Sequence, residues 1–109
     1  MDNEIQKNIL VVDDDPKVLE STSMLLIQKG YAVTDCSDAE EALTNIREHL
    51  FDVVLSDIKM PNVSGIELLD KIHEIKSELP VILMTAYAEV AVAVDAISKG
   101  AFDFLIKPA

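Results

Sequence analysis

Cysteine is nearly absent from the 109 residues: Cys36 stands alone. A single thiol closes no internal disulfide and completes no multi-cysteine zinc site, so redox and zinc chemistry are set aside and Cys36 is read as a small loop or edge residue. Basic residues are also scarce, nine Lys+Arg against 20 Asp+Glu, for a formal charge of −11. Such a field opposes nucleic-acid phosphates and anionic lipid and favours cations or basic partners. Long apolar runs are missing: the most apolar tract, Val81 to Ile97, is broken by Glu89 and Asp95. That falls short of the ~18 apolar residues of a membrane span. The opening residues, MDNEIQKN, carry acids where an export signal has a basic region and an apolar stretch. A cytoplasmic domain that contacts neither membrane nor nucleic acid directly is expected. Glycine is rare, three in all, and neither GxGxxG, GxxxxGKS/T nor GxSxG occurs. The usual phosphate loops and the hydrolase elbow are thereby excluded.

What is present is apolar content, 50% of residues, arranged in short alternating segments. The length suits one domain, residues 1–109. NILVV, from Asn8 to Val12, is a β-branched apolar run of the kind buried on both faces of a sheet. Pro16 with Asp15 as N-cap opens a first helix carrying Val18, Thr22, Leu25 and Leu26 on one stripe until Gly30. Tyr31 to Thr34 reads as a second strand, and Asp38 with Glu41 starts a helix with Ala39, Ala42, Leu43, Ile46 and Leu50 inward. Asp52 to Ser56 is a third strand; after the turn IKMPNVSG, Ser64 and Glu67 open a helix facing inward through Ile66, Leu69, Ile72 and Ile75. Val81 to Met84 is a fourth strand. A helix from about Glu89 to Lys99, with Val90, Val94 and Ile97 inward, stops at Gly100, and Phe102 to Ile106 completes a fifth strand. Strict βα alternation predicts an α/β fold, an open doubly wound parallel sheet with right-handed crossovers. A closed eight-fold barrel needs ~200 or more residues. No helix follows the last strand, which ends at Lys107 with Pro108 and Ala109 beyond it, so the final helix is expected to be missing.

Ligands of open α/β sheets bind outside the carboxyl ends of the strands. There the first strand delivers Asp13 and Asp14, the third Asp57, the fourth Thr85 and the fifth Lys107, while the second offers only Asp35. Three carboxylates converging from two strands repel one another unless a cation separates them. Oxygen ligands without His or Cys select Mg²⁺ over zinc. Lys107 and the Thr85 hydroxyl suit the oxygens of a phosphoryl group, so the pattern predicts phosphoryl transfer without a nucleotide pocket. Acids after strands also serve as turn residues and caps, and Asp15 is read that way. His49 and His73 fall on helices away from the strand ends and read as surface residues.

Taken together, ILVVDDDPKVL, VVLSDIKMPNVSGIELL, PVILMTAY and GAFDFLIKP resemble the receiver domain of bacterial two-component response regulators over nearly the whole chain. The resemblance implies a CheY-like, flavodoxin-like sheet of order 2-1-3-4-5, with first and third strands adjacent at the switch point. It implies transfer from the phosphohistidine of a sensor histidine kinase or phosphotransfer protein to Asp57, catalysed by the receiver itself. Asp13, Asp14, Asp57 and the backbone carbonyl of Lys59 would hold Mg²⁺; Thr85 and Lys107 would bind phosphoryl oxygens. Phe104 would be the aromatic switch residue that moves with Thr85, although it lacks a hydroxyl. The helix 4/strand 5 surface would control an output domain in the parent chain. The segments DIKMP, GIELL and GAFDFLIKP are most similar to receivers of enhancer-dependent transcriptional activators. The family also implies a cis Lys107–Pro108 bond and, with the fifth helix absent, uncovered apolar side chains on strands one and five that favour a homodimer or lower stability. Lys59 and Tyr87, each two residues past a site residue, are expected to border the path of attacking water. Two other classes remain beside this reading. A Mg²⁺-dependent aspartyl phosphatase needs a general acid two residues past its nucleophile and a second acidic motif after the lysine. A non-catalytic Mg²⁺ or partner-binding module would leave Asp57 unphosphorylated.

Overall fold

The computed structural model describes residues 6–86 and 90–107. Five parallel strands, β1 (Asn8–Val12), β2 (Ala32–Cys36), β3 (Val53–Asp57), β4 (Val81–Thr85) and β5 (Asp103–Ile106), form one sheet in the order β2-β1-β3-β4-β5. Helices α1 (Pro16–Gln28), α2 (Ala39–Glu48), α3 (Gly65–Ile75) and α4 (Val90–Ser98) connect them in turn. The expected α/β fold and sheet order are both present. Register pairs Val12 with Ser56 and Asp57 with Met84, so the carboxyl ends of β1, β3 and β4 lie side by side.

Side chains alternate between the faces, as a period of two requires. Leu10, Val12, Val54, Val81 and Leu83 enter a core with Leu43 and Ile46 of α2, Leu68, Leu69 and Ile72 of α3, and Ala93 and Ala96 of α4. Ile9, Val11, Leu55 and Met84 face the other way, against Leu19 and Leu26 of α1. Helix starts follow the expected caps. Asp15 accepts from the backbone N–H groups of Lys17 and Val18, Asp38 from Glu41, and Ser64 with Glu67 forms a reciprocal capping box.

Several inward faces differ from expectation. In α4 the buried residues are Ala93 and Ala96, while Val90 is half-buried and Val94 and Ile97 are exposed. The sequence VAVAVDAIS is apolar nearly all round, so periodicity does not choose a face, and the small alanines permit the closest approach to the sheet. In α1 the buried residue is Ser23; Val18, Thr22 and Leu26 are half-buried and Leu25 is 54% exposed. In α3 Leu68 joins Leu69 and Ile72 inside, with Ile66 and Ile75 only partly covered. Helix α2 ends at Glu48 because His49 turns extended, which leaves Leu50 82% exposed rather than inward. Strand β2 starts one residue later than expected and runs to Cys36, a buried residue of this edge strand. Of the two strands expected to show uncovered apolar side chains, β5 does so at Leu105 and Ile106, beside exposed Leu25 of α1, whereas the apolar side chains of β1 are covered.

Candidate functional site

Asp57 is the last residue of β3, one position earlier relative to the strand end than its sequence suggests. It is 7% exposed, and Asp13, just past β1, is fully buried. Lys107, just past β5, reaches between them: its Nζ lies 3.1 Å from Asp57 Oδ2 and 3.2 Å from Asp13 Oδ2. The lysine is held there because its backbone N–H donates to the Thr85 carbonyl at 2.7 Å, extending the β4–β5 pairing past the strand end. Asp13 is fixed from two sides, its N–H donating to the Cys36 carbonyl and its Oδ1 accepting from the Asp15 N–H at 2.9 Å. Its Oδ2, despite the lysine, makes no well-formed hydrogen bond among the described residues.

Burial pushes the Asp57 carboxyl above the ordinary carboxylate range, and the Asp13 charge adds to this. The Lys107 hydrogen bond and the Lys59 backbone N–H oppose the rise without cancelling it. For Lys107, burial disfavours the charge, but the hydrogen bond to Asp57 and the carboxylates of Asp13 and Asp57 outweigh it and raise the pKa. Carboxylate oxygens of Asp13, Asp14 and Asp57 lie within 4.8 Å of one another. Three acids against one lysine leave the cluster net negative, and the poorly bonded Asp13 oxygen is aimed into it. The donor set, all oxygen and partly exposed through Asp14, fits a hard divalent cation such as Mg²⁺.

Other expected site residues stand further apart. The Thr85 hydroxyl donates to the Ala86 carbonyl at 3.1 Å and not to Asp13, Asp14 or Asp57. Phe104 pairs with Leu83 in the sheet and packs half-buried against the α2–α4 core. Lys59 is exposed; Tyr87 and the Lys107–Pro108 bond lie outside the described residues. His49 is exposed as expected, but His73 is half-buried, with Nε2 3.0 Å from the Leu79 carbonyl. Burial pushes the Cys36 thiol up to about 12, which keeps it protonated and unreactive. Two residues were not singled out from the sequence. Ser56, fully buried, donates its hydroxyl to the Asp57 carbonyl at 3.0 Å, and Gly65 presses against the same carbonyl. A serine inside an apolar strand was the available signal for the first.

Comparison with known proteins gives one consistent answer. The family model for the response regulator receiver domain matches residues 9–109. Transcriptional regulatory protein ZraR of Klebsiella oxytoca is 45% identical over 94% of this chain, which spans 23% of that protein. The chain thus spans about a quarter of the length of ZraR and of the PgtA transcriptional regulatory protein of Salmonella typhimurium. A receiver domain structure from Clostridium thermocellum superposes with a TM-score of 0.89 at 35% identity, covering 94% of this chain and 83% of that one. The response regulator TrrA of Thermotoga maritima, solved in complex with Mg²⁺ and BeF, gives 0.85 at 35% identity, covering 94% and 88%. Sequence, fold and strand-end chemistry agree: this chain belongs to the response regulator receiver domains of two-component signal transduction.

Proposed function

We propose that Asp57 is the phosphoacceptor and that the domain catalyses its own phosphorylation and dephosphorylation. The observation that carries this is the placement of Lys107 Nζ between Asp57 and Asp13, beside three clustered carboxylates. The nucleophile is an Asp57 carboxylate oxygen. Its bond to phosphorus forms as the N–P bond of a donor phosphohistidine breaks, the electron pair leaving on the imidazole nitrogen, which takes up a proton from water. Lys107 already lies within 3.1 Å of Asp57 and meets the negative oxygens of the incoming group. Thr85 supplies a second donor after its hydroxyl rotates away from the Ala86 carbonyl. Asp13, Asp14, Asp57 and the Lys59 carbonyl would hold Mg²⁺, which when bound neutralises charge on the phosphoryl oxygens.

The donor is a sensor histidine kinase or phosphotransfer protein, in the cytoplasm. Movement of Thr85 and Phe104 switches the α4–β5 surface, which bears exposed Val94, Ile97 and Phe102. That surface controls an output domain in the parent chain, a transcriptional activator by analogy with ZraR. Residues 1–109 act as the receiver unit, and the uncovered α1–β5 groove supports a homodimer. Intact-mass measurement after incubation with acetyl phosphate tests the assignment. Addition of one phosphoryl group with Mg²⁺, and none with chelator or in Asp57→Asn, is expected. Equal labelling of Asp57→Asn overturns it.

A further inference from the structure

The loop between β3 and α3 carries Lys59, whose backbone N–H supports the Asp57 carboxylate. It is tied down at its base: Ile58 donates its N–H to the Met84 carbonyl at 3.0 Å and accepts from the Gly65 N–H at 2.7 Å. In its middle Asn62 takes φ 72, with the Val63 N–H donating to the Pro61 carbonyl at 2.8 Å. That is a γ-turn of the rare, strained hand, which persists only where its surroundings fix it. The capping box of Ser64 and Glu67 fixes the far side.

Gly65, buried at the first turn of α3, closes this loop by contact. Its φ lies outside the left-handed region, so any residue could adopt the backbone; the need is for space. A Cβ there would fall on the Asp57 carbonyl oxygen, 2.8 Å from Ile58 Cα and 3.1 Å from the Asp57 carbonyl carbon. These are backbone atoms at and just past the end of the strand that carries the nucleophile, and none can swing aside as a side-chain tip does.

We propose that Gly65 is a positioning residue: the missing side chain lets α3 press on the Asp57–Ile58 peptide and so sets where the Asp57 carboxylate and Lys59 backbone stand. This rests on the phosphoacceptor assignment of Asp57. A methyl group at position 65 must move either the strand end or the helix, and ångström-scale misplacement of reacting groups costs about 10²-fold in rate.

The test compares Gly65→Ala with Gly100→Ala in the 109-residue chain. Gly100, in the α4–β5 turn, has φ 114, and an added Cβ would meet His73 Nδ1 at 3.2 Å, so its replacement strains the fold without touching the phosphorylation site. Melting temperature, phosphorylation rate with acetyl phosphate and Mg²⁺ affinity by titration calorimetry are read for each. Both variants melt lower than wild type; only Gly65→Ala loses about 10- to 100-fold in rate and binds Mg²⁺ severalfold more weakly. Rate and affinity of Gly65→Ala equal to those of Gly100→Ala overturn the proposal. A wild type that takes up no phosphoryl group overturns the Asp57 assignment instead, and the Mg²⁺ titration still decides the positioning claim. Should Gly65→Ala fail to fold, Ser64→Ala loosens the same turn without a clash: Mg²⁺ affinity at least twofold weaker supports the proposal, and unchanged affinity overturns it.

Discussion

Among the described residues, α2, α3 and α4 on one face of the sheet enclose eighteen buried residues, Leu10 to Ala101, whereas the α1 face encloses four, Ile9, Val11, Leu55 and Met84. Beside those four runs a groove of about 500 Å³, lined by Leu25, Leu26, Leu55, Met84 and Leu105 and ending at Lys107. The closed face holds the strand ends in place, and the open face leaves the site lysine beside uncovered apolar surface. The acids therefore stand at strand ends packed on the closed face, and the half-buried lysine stands at the end of the strand that borders the groove.

The largest expected contrast is between core leucines and groove leucines. Leu69→Ala, fully buried on the closed face, should cost about 2–5 kcal/mol in urea unfolding. Leu25→Ala, 54% exposed on the open face, should cost about 0.5 kcal/mol or less. Equal costs would erase the distinction between the faces. Next is the cation: Mg²⁺ at 100 times its dissociation constant should stabilise the fold by about 2.7 kcal/mol, as any ligand specific for the native state does. Asp13→Asn should abolish most of that gain in a thermal melt; a full gain in the variant would place the ion elsewhere.

A smaller effect is expected from Asp57 itself. Its folded pKa is raised, so the fold binds the proton more tightly than the unfolded chain does. The stability this contributes is complete below the unfolded carboxylate pKa and is lost as pH rises through the folded value. At neutral pH without Mg²⁺, Asp57→Asn should therefore melt higher, by on the order of 1 kcal/mol; a lower melting point would mean that the Lys107 ion pair outweighs burial and Asp13. Smallest is the groove. Leu25, Leu105 and Ile106 leave apolar surface exposed along it, so sedimentation at rising concentration should show weak self-association that Leu105→Lys removes. A wild type monomeric at all concentrations would leave the open face without a role in assembly.

Much of this was legible in the sequence. Strands buried on both faces must be continuous apolar runs, and NILVV and VILM are recognisable for that reason. Asp13, Asp57 and Lys107 are polar residues at the ends of such runs, so their convergence followed once the sheet was parallel. The inward face of α4 was not legible, because a helix apolar all round carries no stripe. Leu50 was misplaced because no glycine or proline marks the end of α2. Gly65 escaped notice since its role is a contact across eight positions of chain rather than a backbone angle of its own.

The central claim, that Asp57 receives the phosphoryl group, is tested most directly by trapping the product. Chain phosphorylated with acetyl phosphate and Mg²⁺ is reduced with borohydride, which converts an aspartyl phosphate to homoserine, and is then mapped by peptide mass. Homoserine at position 57 alone is the predicted result. Homoserine at position 13 or 14, or none at 57, would contradict the account.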